Sequence, residues 1–160
     1  MLKLTKRTEY GLIALVHLAE HAGRVVSARE IGEQYPVPRR LLAEVLKDLQ
    51  HASLIDSQRG AHGGYSLAHA PEDISIGRVV QVLEGAPALT ECQDESIEKE
   101  CEVKAQCPIR NPLERIRSGI WSLMESTSLS SLLEPSSQFV AAPSGHGGLK
   151  TATSPSAGAE

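Results

Sequence analysis

Between Ser27 and Leu67 the apolar residues switch from helical to extended spacing, and this constrains the fold more than any other feature of the chain. Ser27-Ala28-Arg29-Glu30 forms a capping box: the serine hydroxyl accepts from an early helical N–H, and the glutamate three positions on reaches back. It predicts a short helix to about Tyr35. Pro36 and Pro38 make a rigid turn, and Pro38 suits the first position of a new helix, where its missing N–H leaves nothing unpaired. Over about 38–52, Leu42, Val45, Leu46 and Leu49 recur at helical spacing, with Arg40, Ala43, Glu44 and Lys47 on the opposite face. Residues 54–58 and 64–67 then read as two strands joined by Arg59-Gly60-Ala61-His62-Gly63, whose glycines permit a tight loop close to a phosphate backbone. A short helix, a turn, a longer helix and a β-hairpin in this order make a winged helix-turn-helix.

The flanks complete a mainly α chain with one small β-hairpin. A first helix is predicted over about 8–21, from the stripe Leu12, Leu15, Val16 and Ala19, and Gly23 breaks it. Another runs from about Ser75 to Gly85. Pro108 or Pro112 opens a long helix to about Ser126, in which Leu113, Ile116, Ile120, Leu123 and Thr127 alternate by three and four. That is a short coiled-coil-like seam for a second copy, with Trp121 as interfacial packing. A short helix is expected over 129–134. From Pro135 onward Ser, Gly, Ala, Pro and Thr dominate without apolar periodicity. The expected organisation is a winged helix-turn-helix DNA-binding domain at 1–85, a cysteine-bearing loop at 86–107, a dimerisation helix and closing short helix at 108–134, and a disordered tail at 135–160.

Net charge is −4, which by itself argues against nucleic acid, but its distribution reverses the argument. Residues 1–70 carry nine Lys/Arg against seven Asp/Glu, whereas residues 71–110 carry four against nine. A helix that fits the major groove reads base edges with its exposed side chains, and arginine's forked donors suit guanine or phosphate. The candidate DNA contacts are therefore Arg39 and Arg40 in the first turn of the recognition helix, Lys47 on the same helix, and Arg59 and His62 on the wing. His17, His21, His51 and His69 read as surface or edge histidines.

Cys92, Cys101 and Cys107 are the only cysteines, with eight residues between the first two and five between the last two. No apolar run is long enough to span a bilayer, and Lys3, Lys6, Arg7 and Glu9 near the start fit no signal peptide, so the cytoplasm is expected. Thiols stay reduced there, and clustered cysteines point to a metal or iron–sulfur site, or to a redox switch, ahead of disulfides. Thiolates bind soft metals and hold iron–sulfur clusters. Glu91, Asp94, Glu95, Glu98, Glu100 and Glu102 read as a solvated face.

The wing from Leu54 through Gly60, Gly63, Gly64 and Tyr65 to Leu67 resembles the signature of the Rrf-two (Rrf2) family of bacterial transcription regulators. Leu4-Thr5-Lys6 with Tyr10 resembles that family's opening; Asp73-Ile74-Ser75-Ile76-Gly77 through Glu84-Gly85 resembles its helix after the wing. Thr127-Ser128-Leu129-Ser130-Ser131-Leu132-Leu133 resembles its closing segment, so that about 1–134 is covered. The resemblance implies a homodimeric repressor on a pseudo-palindromic double-stranded operator, with the three cysteines holding an iron–sulfur cluster of two or four irons. Some members complete the cluster with a His shortly after the third Cys, where this chain has Arg110. Others use an acidic residue near the N-terminus of the partner subunit, and Glu9 stands at that position. The family usually has Gly where Ser53 stands, and often Pro-Gly where Ala61-His62 stand.

The expected function is a DNA-binding transcription regulator, not an enzyme, sensing iron, nitric oxide or redox state. The same fold holding zinc or sensing through thiols alone stays open, as does an electron carrier or redox enzyme. Against that last reading, the sequence has no phosphate loop and no triad, and its 3% aromatic residues are few to line a pocket.

Overall fold

The computed structural model describes residues 3–60, 62–85, 88–93, 101, 103 and 106–134. The expected tail at 135–160 and much of the loop at 86–107 lie outside them. Among the described residues there are five α-helices and one hairpin: α1 (Lys6–Glu20), α2 (Ala28–Gln34), α3 (Arg39–His51), β1 (Ile55–Gln58), β2 (Gly64–Leu67), α4 (Ile76–Glu84) and α5 (Arg110–Ser126). Short 3-10 turns at Pro71–Asp73, Glu91–Gln93 and Leu129–Leu132 join them, the last standing where a closing helix over 129–134 was expected. No helix among these residues is long and apolar enough to cross a membrane.

Helix starts follow the sequence. Thr5, Ser27 and Ser75 hydroxyls accept from the backbone N–H of Thr8, Glu30 and Arg78, at 3.4, 3.1 and 3.0 Å. The capping box at α2 is only half made. The Glu30 carboxylate turns to Arg24 instead of reaching back, with Nη1 donating to Oε2 at 3.0 Å. A guanidinium offers a two-pronged, charge-assisted partner that one backbone N–H cannot match.

The core sits where α1, α3 and α4 meet under the hairpin. Leu42, Val45, Leu46 and Leu49 of α3 are buried, as the stripe requires, against Leu15 and Leu18 of α1 and Val79 and Leu83 of α4. Each such side chain contributes about 1.5–3 kcal/mol of burial. Arg7 of α1 pairs with Asp48 of α3, and Glu84 accepts from Thr5 N–H at 2.6 Å and Thr5 hydroxyl at 2.7 Å. These bonds tie the start of α1 to both neighbours.

α3 ends in a Schellman motif. Leu54 N–H donates to Leu49 O and Ser53 N–H to Gln50 O, both at 2.9 Å, with Leu54 and Leu49 buried together. Ser53 thereby takes φ +57°, the left-handed region, and is the sole non-glycine described to do so. A glycine, the residue the family resemblance leads one to expect here, would take this conformation without a Cβ penalty. Ser53→Gly should stabilise the chain by roughly 0.5–1 kcal/mol, since the steric relief exceeds the added chain entropy. Urea unfolding should show a higher midpoint with an unchanged slope.

The hairpin pairs Ile55 with Leu67 and Gln58 with Gly64, in antiparallel register. A bridge on the other edge of β2, not visible in the sequence pattern, comes from Val26 between α1 and α2. Val26 N–H donates to Tyr65 O at 2.9 Å and Tyr65 N–H to Val26 O at 2.8 Å. A Cβ at Gly64 would run into the Val26 carbonyl, so this glycine serves backbone approach within the fold.

The closing segment is likewise sewn in. Ile76 N–H donates to Thr127 O and Leu129 N–H to Ile74 O, both at 2.8 Å, and Leu129 is fully buried. α5 is thus fixed at its C-terminal end beside α4.

One sequence reading fails here. His17 is not a surface histidine: it is 4% exposed, in edge contact with Tyr35 at 5.6 Å between ring centroids. α1 turns that face toward the start of α2, so its position in the helix, and not its polarity, decides its burial.

Candidate functional site

Two groups of residues carry chemistry. The first lies along α3 and the wing. Arg39 and Arg40 occupy the first turn of α3, with Arg40 Nε donating to Glu44 Oε1 at 3.1 Å across one helical turn. Arg39, Arg40, Ala43, Glu44, Lys47, Gln50 and His51 are all exposed on the face away from the core. Arg39 also borders a shallow groove with Ala28, Arg29 and Gly32 of α2. Arg59 and His62 are exposed on the wing, where Gly60 has φ +124°. A broad concavity lined by Ala28, Gln50 and Arg59 separates the wing from the C-terminal part of α3. All five candidates are therefore solvent-facing, and Gln50, unremarked in the sequence reading, lies between the two sets.

The second group surrounds the base of α5. Cys92, Cys101 and Cys107 are free thiols, the first exposed and the others half-buried. All three line one cavity of about 150 Å³ with Thr90, Arg110, Glu114 and Arg117. Thr90 Oγ1 lies 3.3 Å from Cys92 Sγ. Gln93 Nε2 donates to Glu114 Oε2 at 3.3 Å, and the Arg117 guanidinium to Glu114 Oε1 at 2.6 Å. That guanidinium holds the Glu114 carboxyl below its usual range. Glu114 is a carboxylate in the cavity wall that the sequence reading did not single out; its i, i+3 relation to Arg117 on α5 was the available signal.

The three sulfurs share a cavity without closing into a ligand set. Among the described residues, the group of three metal-capable donors within 4.8 Å of one another is His17, His21 and Glu30. Glu9 lies in the first turn of α1, paired with Lys6, and is not among the residues lining its own chain's cysteine cavity.

A family model described as an iron-dependent transcriptional regulator, Rrf2, matches residues 4–135. The chain belongs to the Rrf2 family. It is 33% identical over 137 residues to a putative HTH-type transcriptional regulator, rrf2-like, of Rhodobacter capsulatus, covering 81% of this chain and 91% of that protein. Protein rrf2 of Nitratidesulfovibrio vulgaris is 40% identical over 96 residues, covering 59% of this chain and 64% of that protein's length. Among solved structures, CymR, the global cysteine regulator of B. subtilis, is similar with TM-score 0.65 and 30% identity over 82% of this chain and 96% of its own. IscR of T. potens is similar with TM-score 0.65 and 29% identity, over 88% and 94%. Membership makes this Rrf2 chain a winged-helix transcription regulator and not an enzyme.

Proposed function

We propose that this Rrf2 protein is a homodimeric, cytoplasmic repressor whose operator affinity is set by an iron–sulfur cluster on Cys92, Cys101 and Cys107, answering to iron supply, nitric oxide or redox state. The observation that carries this reading is the single cavity that the three free thiols line at the base of α5. The family's description as iron-dependent supports iron as the metal. The donor set suits the group: soft sulfur donors, with Arg110 beside them to balance anionic charge. Loading requires the three sulfurs to draw closer together than they stand here. Once bound, the cluster supplies a centre reactive toward oxidants and nitric oxide. Glu9 of the partner subunit is the proposed fourth ligand. A hard carboxylate holds a soft site weakly, which suits a sensor.

The chain's own packing links the cavity to DNA. Cys107 stands three residues before α5, α5 lies against α4, and α4 lies against α1 and α3. A change in how the thiolates are held re-aims α5, and the spacing of two recognition helices across a dimer follows.

DNA contact is proposed for Arg39, Arg40, Lys47, Arg59 and His62. Arg59→Ala should weaken binding to operator and scrambled duplex alike, because a wing arginine grips backbone. Replacing Arg39 and Arg40 by Ala should cost about 1–3 kcal/mol for each lost bidentate base contact and relax specificity at the bases they read. Operator affinity at fixed salt measures both. Wild-type binding by both variants would remove the recognition-helix assignment.

Likeness to a cysteine regulator, and the open spacing of the three sulfurs, favour one second reading: thiol-only or zinc-based sensing on the same fold. Anaerobic purification with iron, sulfide and zinc analysis decides between them. Brown protein with iron and sulfide supports the cluster; colourless protein without them overturns it.

A further inference from the structure

His17, His21 and Glu30 lie outside the cysteine cavity and outside the DNA-facing surface. His17 and His21 are one helical turn apart near the end of α1, and Glu30 is in the first turn of α2. One donor atom from each lies within 4.8 Å of the others. His17 Nε2 is buried, has no hydrogen-bond partner, and points toward Glu30 Oε1 at 3.8 Å. A buried imidazole nitrogen left unpaired calls for an explanation, and a ligand is one. His21 supplies a second sign. Its Nδ1 bonds to the His17 carbonyl oxygen at 2.8 Å, which leaves Nε2 with the lone pair. Metal-binding histidines are oriented in this way, through a backbone carbonyl on the far nitrogen. Burial, and then the neighbouring His21, hold the His17 pKa below its ordinary value. Glu30 and His21 are only partly buried and leave an entry path from solvent.

We propose that His17, His21 and Glu30 form a second metal site, for a divalent first-row cation of the zinc type, that clasps the end of α1 to the first helix of the helix-turn-helix. Two imidazoles and a carboxylate are the donors such a cation takes, with water in the fourth place. With ligand distances of about 2.0–2.2 Å, tetrahedral donors stand roughly 3.3–3.6 Å apart, so the His17–Glu30 pair at 3.8 Å is nearly placed and the remaining donors, within 4.8 Å, must draw in further. One group competes: Arg24 pairs with Glu30 through both carboxylate oxygens. Metal entry displaces at least one of those bonds, so Arg24 weakens the site.

The test is cobalt(II) titration of the metal-free full chain carrying Cys92→Ser, Cys101→Ser and Cys107→Ser. One equivalent should bind, with visible d–d bands and no near-ultraviolet thiolate band. His21→Ala and Glu30→Gln in that background should each weaken binding by more than the roughly 10–100-fold that losing an outer-sphere partner costs. Arg24→Ala should tighten it, a result that a purely structural role for these residues does not produce. In the chain with its cysteines intact, His21→Ala should remove one equivalent of bound cobalt and leave the thiolate band unchanged, which keeps the test independent of the serine variants' folding. No cobalt bound by the cysteine-free chain, or full affinity in both His21→Ala and Glu30→Gln, would overturn the proposal.

Discussion

Cys92→Ala, Cys101→Ala and Cys107→Ala are each expected to purify anaerobically without the visible absorbance, iron and sulfide that the proposed cluster would give the unmodified protein. The effect is complete loss, because three thiolates give no spare ligand to a group that takes four. The fold should survive each change. Cys92 is exposed, the other two are half-buried, and none belongs to the buried core. Circular dichroism and unfolding midpoints should therefore stay near wild type while colour disappears. Two carboxylates then compete for the fourth position. If Glu9 of the partner subunit serves, Glu9→Ala leaves the spectrum recognisable but shortens its lifetime in air, and Glu114→Ala does not. Glu114 is bound up with Arg117 and Gln93 inside the same cavity, so the opposite outcome would make the site a single-chain one. A Cys92→Ala protein with full iron and sulfide would place the cluster elsewhere.

The parts of the fold that could be read in the sequence are those where local and global signals agree. The α3 stripe, the Ser27 cap and the glycine-rich hairpin each speak through neighbours in sequence, and they stand as read except that Glu30 turns to Arg24 and leaves the capping box half made. The features that escaped depend on distant partners. Val26 looks like part of a short connection, and bridges to the sheet only because β2 passes beside it. Ser128 and Leu129 look like a weak helix start, and are pinned to the chain around Ile74. His17 shows the same limit at a site. An i, i+4 histidine pair is visible in the sequence, but Glu30 joins it only when α2 folds back along α1. The cysteines were easy to find by composition alone, yet their spacing does not say that Glu114 and Arg117 stand among them. The identity of the Ser53 position was legible as a departure from a family pattern; its left-handed backbone gave the departure a physical cost.

Replacing Ile116 and Leu123 together by Asp is expected to turn the protein into a monomer that still folds. α5 has no fully buried residue along its 17 positions, although every third or fourth one is apolar. Ile116 and Leu123 on the expected seam are 52% and 57% exposed within one chain, while Leu113 and Ile120 are half-buried. A helix held to its own chain mainly at one end, with a row of aliphatic side chains in water, is what a subunit interface looks like when one subunit is viewed alone. Two such residues from each of two protomers, already half-covered, contribute on the order of 3–6 kcal/mol when the seam closes. Four carboxylates in their place add repulsion and desolvation, so sedimentation velocity should show monomer at concentrations where the wild-type chain forms the proposed dimer. Operator affinity should fall by ~10²–10⁴, because the second half-site is no longer delivered by the first. The unfolding midpoint at low concentration should barely move, since neither side chain belongs to the core. The variant also bears on the cluster. With the fourth ligand from the partner subunit, monomerisation should shorten cluster lifetime as much as Glu9→Ala does; with Glu114, monomer and dimer should hold iron equally well. A dimer persisting in the double variant would move the interface off α5 and leave its exposed apolar row without a role.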